Sequence, residues 1–233
     1  ELAERVYLVT GASRGFGLAI ARALLDSGAR VALVSRQREG LDAALAELDA
    51  GERAFAVTAD MGVKAQVEEA FTQAATHFGR LDGLVNNAGM ARPNRIEHLD
   101  EQEVLTQVNT NFLGTVFACQ VAIPLLRGGD NPRIVNISSA SAWHYDEIVH
   151  LSIYAATKAA VERFTRDLRV EVQTVRAPRG CLHQLCRRLG SGTFRRRHRR
   201  LEGRGHLYGY GHGCGPGGRG GALQPCATRG CGR

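Results

Sequence analysis

Arg5-Val6-Tyr7-Leu8-Val9-Thr10-Gly11-Ala12-Ser13-Arg14-Gly15-Phe16-Gly17 is the stretch that decides the fold. An apolar run ends at a threonine, three glycines follow at Gly-x3-Gly-x-Gly spacing, and an amphipathic stretch begins at once. This reads as a buried strand, Arg5–Thr10, turning tightly into a helix. Glycines there let the backbone approach a pyrophosphate with no Cβ in the way. The helix N-terminus offers free N–H groups and the positive end of its dipole. Gly11, Ser13, Arg14, Gly15, Phe16 and Gly17 are therefore candidate cofactor-binding residues. The alternative is a tight strand–helix turn that holds no ligand.

Outward from this loop, short β-rich runs alternate with longer amphipathic ones, the pattern of a parallel sheet with crossover helices. Further strands are predicted at Arg30–Ser35, Ala54–Thr58, Leu81–Asn86 and Arg133–Ser138, each apolar enough for burial on both faces. Helices are predicted at 16–27, 39–49, 63–78, 100–127 and 154–174, with Gly28, Gly51 and Gly79 as left-handed caps. Right-handed crossovers make this an α/β, doubly wound parallel sheet of Rossmann type. Five strands are accounted for by residue 180. No sixth strand is recognisable beyond it, so the C-terminal strands are read as missing.

Composition changes at the same place. Residues 1–180 carry 19 Lys and Arg against 22 Asp and Glu, whereas 181–233 carry 11 Arg and one acid, Glu202. The second stretch also holds 14 of the 28 glycines and five of the six cysteines. The expected organisation is a dinucleotide-binding and catalytic domain at 1–180, incomplete at its end, followed by an atypical tail at 181–233. At 233 residues the chain suits one sizeable α/β domain rather than two. No apolar run approaches the roughly 20 residues of a membrane span, and no secretory signal opens the chain. A cytoplasmic location, with no membrane partner, is the expectation.

The second strand ends in Ser35-Arg36, where an acid would favour the ribose 2′-hydroxyl of NAD(H). Arg36, with Arg14, suits a 2′-phosphate instead, so NADP(H) is favoured over NAD(H). The alternative is two solvated surface arginines. Asp60 follows the third strand, where its carboxylate suits an adenine amino group or a helix N-cap, with Met61 beside it. Asn86-Asn87-Ala88-Gly89 ends the fourth strand at the carboxyl edge, where open α/β sheets bind ligands. Small residues there leave room for a cofactor, while the amides can tie strands together.

Tyr154 and Lys158 lie four residues apart in Tyr-Ala-Ala-Thr-Lys, so a helix places them on one face. A phenol ionises near ~10 and is a poor acid–base catalyst at neutral pH. A fixed cation beside it favours the phenolate.

Taken in order, Thr10-Gly11-x3-Gly15-x-Gly17, Asp60, Asn86-Asn87-Ala88-Gly89, Asn111-x2-Gly114, Ser138-Ser139 and Tyr154-x3-Lys158 resemble the short-chain dehydrogenase/reductase family. The resemblance covers residues 5 to about 175, roughly three quarters of the chain. It implies an oxidoreductase interconverting a carbonyl and a secondary alcohol, with a small-molecule substrate and a homodimer or homotetramer as the assembly. Tyr154 matches the acid–base. Lys158 matches the residue that lowers the tyrosine pKa and holds the nicotinamide ribose. Ser139 matches the serine that polarises the substrate carbonyl. Asn111 matches the residue that holds a relay water. Asn87, Ala88 and Gly89 fall with the cofactor-facing residues.

One departure concerns the serine. Ser139 precedes Tyr154 by 15 residues, whereas 13 is common in the family, a spacing that Ser141 has. Ser139 is preferred because it ends the strand and two extra residues fit in the loop. Trp143, His144 and Tyr145 in that loop are expected to line or cover the substrate pocket. A second departure is the tail, which shows no recognisable sixth strand, Pro-Gly turn or substrate lid. Pro216-Gly217 follows no strand.

Three readings of the tail stand. A shifted reading frame in a GC-rich gene gives this mixture of Arg, Gly, Cys, His and Pro, and is the preferred one. A basic extension running through Arg195–Arg200 suits nucleic acid, though nucleic acid is not the expected partner. A metal site from Cys181, Cys186, Cys214, Cys226 and Cys231 fits no common zinc spacing, so no metal is expected. Two rival functions remain: a cofactor-binding pseudoenzyme that has lost its lid, and a nucleic-acid-associated protein acting through the tail.

Overall fold

The structure is a computed structural model and describes residues 2–127, 129–143, 150–174 and 182–184. His144 and Tyr145, the five tail cysteines and Pro216-Gly217 lie outside the described residues.

The chain alternates strand and helix as its periodicity demands. It runs β1 (Val6–Thr10), α1 (Gly15–Asp26), β2 (Arg30–Ser35), α2 (Arg38–Leu48), β3 (Ala54–Thr58), α3 (Lys64–Phe78) and β4 (Gly83–Asn86). It continues through α4 (Glu101–Val108), a π-helical turn at Asn109–Leu113, α5 (Gly114–Leu126), β5 (Arg133–Asn136), α6 (Ser152–Thr174) and β6 (Leu182–Gln184). The strands form one parallel sheet in the order β3-β2-β1-β4-β5-β6. The order reverses between β1 and β4, so the carboxyl ends of those strands open the crevice where doubly wound sheets bind ligands.

Helices cover both faces of the sheet. On one face Leu8, Ala32, Val57, Leu84 and Ile134 pack with Phe71 of α3, Ala122 of α5 and Leu168 of α6. On the other, Val9, Val31, Leu33 and Val85 pack with Ala21 and Leu25 of α1 and Leu41 of α2. Strands buried on both sides explain why their sequences are continuous apolar runs rather than alternating ones.

Several expectations are corrected here. The sheet gains one short sixth strand and, among the described residues, no further one. Leu182, His183 and Gln184 pair in parallel with Ile134, Val135 and Asn136, just beyond the composition break at 180. Three residues are too few to leave a periodicity in the sequence, and strand pairing of this kind uses backbone groups that any residue carries. The predicted helix 100–127 is helical throughout but not uniformly α, because residues 109–113 adopt π register. The left-handed cap of α2 is Asp49 (φ 45°), not Gly51, while Gly79 caps α3 as expected.

The helical run Glu101–Leu126 is, by length and composition alone, long and apolar enough to match a membrane span, contrary to the sequence expectation. Here it serves as a core helix, burying Ala118, Cys119, Ala122 and Leu126 against the sheet.

A buried polar cluster ties this face together. Asn86 Nδ2 donates to Asn136 Oδ1 (2.9 Å) across paired residues of β4 and β5, and to Cys119 Sγ (3.4 Å) of α5. Asn136 Nδ2 donates in turn to Thr165 Oγ1 of α6 (2.9 Å). Burial pushes the Cys119 thiol up to about 12, against the opposing effect of its bonds to Asn136 and Asn86. The folded state therefore keeps this proton longer than the unfolded chain. The associated stability is intact below the usual thiol range and falls as pH rises toward 12. At about pH 8, iodoacetamide is expected to spare Cys119 in the native protein and to label it only in denaturant. Peptide mass mapping checks this, and rapid native labelling of Cys119 would contradict its burial.

Candidate active site

Between β1 and α1 the chain makes the tight turn that its glycines predict. Gly11 and Gly15 take positive φ (66° and 58°). A Cβ on Gly17 would lie 2.2 Å from the Gly11 carbonyl oxygen and 2.6 Å from Asn87 Nδ2, so only glycine lets α1 enter this close to the loop. A Cβ on Gly15 would meet nothing within 4 Å, which places this backbone against open space. Arg14 precedes α1 without a side-chain cap, and the first turn holds no acid. The first N–H groups of α1 thus lack the side-chain acceptor that usually satisfies them. A cradle of exposed amides at a helix N-terminus, with no competing carboxylate, fits a dinucleotide pyrophosphate.

The neighbouring groups fit the rest of such a cofactor. Ser13 Oγ and Ser35 Oγ lie 3.0 Å apart, joining the glycine loop to the end of β2. Arg14 and Arg36 are both exposed, and neither makes an ion pair among the described residues. Phe16 is 80% exposed beside them. Asp60 does not cap α3, whose N-cap is Val63. Its Oδ1 accepts from Gly62 N (2.8 Å) in a local turn, which removes the capping alternative. The Met61 side chain is buried in the core, so any contribution it makes to a ligand is through its backbone.

At the end of β4 the two asparagines divide the work. Asn86 joins β4 to β5, as above. Asn87 Nδ2 donates to Thr10 O (3.0 Å) and Gly11 O (3.3 Å), and Thr10 Oγ1 accepts from Asn87 N and Ala88 N, both at 3.0 Å. The loop after β4 is therefore laced to the glycine loop after β1, and Asn87 fixes the cradle's shape. Gly89 lets the chain pass over the centre: a Cβ there would lie 3.3 Å from Lys158 Nζ and 3.4 Å from Asn111 Oδ1.

Lys158 is the buried member of the Tyr–Lys pair. Its Nζ donates to Ile137 O at the end of β5 (2.9 Å) and lies 5.9 Å from the centroid of the Tyr154 ring. Tyr154 is half-buried on the first turns of α6. Ser138 is buried and donates to the Lys158 carbonyl (3.1 Å), so it fastens the helix to the strand rather than facing a ligand. Ser139 and Ser141, which spacing set against each other, come together: Ser139 Oγ donates to Ser141 Oγ (3.3 Å) and accepts from Ser141 N (3.3 Å). A short 3-10 turn at Ala140–Ala142 folds the second serine back over the first.

Asn111 sits in the π-helical turn and is fully buried. Its Oδ1 accepts from Met90 N (2.8 Å), and its Nδ2 donates to Met90 O (2.8 Å) and to Thr157 Oγ1 (3.1 Å). With both amide protons and Oδ1 engaged on protein groups, this side chain ties the loop after β4 to α6. The π register gives the physical reason for its position, since the wider turn carries Asn111 to the loop after β4.

The structure also shows residues that spacing alone did not single out. A hollow of about 550 Å³ lies beside the start of α6, with Ile96 and Ile153 as its apolar wall and Arg95, Glu97, His150 and Ser152 around it. Trp143, which the sequence did single out for the pocket, is not among the residues lining this hollow; it is half-exposed in the β5–α6 loop, with the Arg166 guanidinium 5.2 Å from its ring.

The arrangement has recognisable kin. The family model for short chain dehydrogenases matches residues 5–177. The chain belongs to the short-chain dehydrogenase family. An uncharacterised oxidoreductase of Staphylococcus epidermidis is 31% identical over 172 residues, 74% of this chain and 73% of that one. A 3-ketoacyl-(acyl-carrier-protein) reductase from Brucella melitensis, solved with NADH, is 32% identical with a TM-score of 0.70. That match covers 75% of this chain and 72% of that one. A short chain dehydrogenase from Burkholderia cenocepacia, solved with NADP, is 36% identical with the same TM-score, covering 74% and 70%. This short-chain dehydrogenase is thus an oxidoreductase of a family that binds NAD(P) and acts on small molecules.

Proposed function

We propose that this short-chain dehydrogenase interconverts a carbonyl and a secondary alcohol with NADP(H), using Tyr154 as its acid–base. The observation that carries the reading is the placement of Tyr154 and Lys158 together on α6, beside the ends of β4 and β5. There Lys158 is held by the Ile137 carbonyl and Gly89 passes over both Lys158 and Asn111. Bound NADP(H) supplies or accepts the hydride.

The chain's own groups do the rest. Tyr154 gives its phenolic proton to the substrate oxygen in reduction and takes it back in oxidation. The Lys158 ammonium stabilises the phenolate left behind. Ser139 turns its hydroxyl proton from Ser141 Oγ to the same substrate oxygen, keeping the bond it accepts from Ser141 N, and favours the charge that builds there. The α1 N-terminus and the Gly11–Gly17 loop hold the pyrophosphate. Arg14 and Arg36 take the 2′-phosphate, and Asp60 accepts from the adenine amino group. The hollow lined by Ile96 and Ile153 receives the apolar body of a small substrate. Exposed Leu105 and Leu125 on α4 and α5, and Val170 on α6, suit a second copy of the chain.

Two measurements test this. NADPH consumption with a panel of ketones should show turnover; binding of NADPH without turnover on any of them favours a pseudoenzyme. Arg36→Ala removes a charge-assisted bond worth about 1.5–3 kcal/mol, so NADPH affinity should fall by about 10–100-fold while NADH affinity holds. Equal losses for both cofactors would remove Arg36 from the 2′-phosphate.

A further inference from the structure

Thr157 lies between the two residues of the proposed catalytic pair, yet its side chain faces away from solvent and is almost fully buried. A helical threonine commonly donates its hydroxyl proton to a carbonyl three or four residues back. Thr157 Oγ1 does so, reaching Tyr154 O at 2.7 Å. Its second bond is less usual. The same oxygen accepts from Asn111 Nδ2 at 3.1 Å, from a residue 46 positions earlier on another element.

The hydroxyl is therefore a bridge with a fixed polarity. Its only proton goes to the Tyr154 carbonyl, and a lone pair takes the Asn111 amide proton. Asn111 is in turn fixed, because its remaining groups are spent on both backbone atoms of Met90. Met90 follows Gly89, where an added Cβ would lie 3.3 Å from Lys158 Nζ and 3.4 Å from Asn111 Oδ1. Met90, Asn111, Thr157 and Tyr154 thus form one hydrogen-bonded line from the loop after β4 to the first turns of α6. The other anchors of α6 attach at Lys158 and beyond: Ile137 O accepts from Lys158 Nζ, Ser138 holds the Lys158 carbonyl and Asn136 holds Thr165.

Resting on the proposed acid–base role of Tyr154, we infer that Thr157 is a positioning residue that docks the Tyr154 turn of α6 onto the π-helical turn through Asn111. It touches neither substrate nor cofactor. It sets where the phenol stands relative to Lys158 and the loop after β4. A hydroxyl is required and its methyl is not, so serine can replace it and valine, of the same shape, cannot.

The test uses the full 233-residue chain with ring-13C tyrosine, the Tyr154 resonance being assigned by its loss in Tyr154→Phe. Thr157→Val should move that resonance and Thr157→Ser should restore it. Thr157→Val should also lower kcat by about 10–100-fold with KM little changed, as a small misplacement of a reacting group does. Thr157→Ala, which favours helix, repeats both readings if the valine variant does not fold. An unmoved Tyr154 resonance in a folded variant lacking the hydroxyl would overturn the inference. So would failure of Thr157→Ser to restore it. The resonance needs no substrate, so it decides the role of Thr157 even if the unmodified chain reduces no ketone, a result that would count against the proposed function instead.

Discussion

Tyr154→Phe should yield a folded protein that still binds NADPH and turns over about 10²–10⁴-fold more slowly, the range a positioned acid–base supplies. The substitution removes one oxygen and leaves the ring. What holds this part of α6 in place does not depend on that oxygen. The Tyr154 carbonyl accepts from Thr157, and the Lys158 carbonyl accepts from Ser138. Stability should therefore change by no more than about 0.5 kcal/mol, as for substitutions outside a packed or hydrogen-bonded feature. NADPH fluorescence titration, thermal unfolding and initial rates on one preparation separate the three effects. A variant with full turnover would take the acid–base role away from Tyr154. A variant that loses NADPH binding as well would make the phenol part of the cofactor site instead.

The architecture was legible because a doubly wound sheet writes itself in local terms. Five apolar runs, the glycines after the first and the helical periodicities between them each reflect burial or turn geometry within a few residues. The Tyr154–Lys158 spacing was legible for the same reason, being a property of one helix. What was not legible depends on distant partners. Ser139 and Ser141 looked like competitors until the 3-10 turn brought their hydroxyls together. Asp60 carries the residue type of an N-cap, but the chain makes a local turn at Gly62 and starts α3 after Val63. Thr157 looked like any helix threonine, because its meaning lies in an amide 46 residues away. The π-helical turn that delivers this amide has no marker of its own, since Asn109–Leu113 reads as ordinary helix. β6 is the limiting case, as three residues held by backbone pairing carry almost no side-chain information.

Gly17→Ala should have the largest effect on cofactor binding of any single-carbon change in the chain. The new Cβ would sit 2.2 Å from the Gly11 carbonyl oxygen and 2.6 Å from Asn87 Nδ2. Neither neighbour can yield cheaply. Gly11 is backbone in a left-handed conformation, and Asn87 is committed to both Thr10 O and Gly11 O. The loop must therefore shift as a whole, costing about 1–3 kcal/mol as overpacking does. For a chain of this length that lowers Tm by about 2–4 °C per kcal/mol. The same shift moves the amides of the α1 N-terminus away from the pyrophosphate, so NADPH affinity should fall by about 100-fold or more, equivalent to some 3 kcal/mol. Gly79→Ala, at the end of α3 and outside the glycine loop, is the control. Its Cβ meets nothing, and its cost is the left-handed backbone alone, about 1–2 kcal/mol. If closure of the cradle governs binding, Gly17→Ala must lose far more NADPH affinity than Gly79→Ala at similar cost in stability. If the two variants lose affinity equally, general destabilisation rather than closure of the loop accounts for the loss. If Gly17→Ala binds NADPH like the unmodified chain, the glycine loop is not where the phosphates lie.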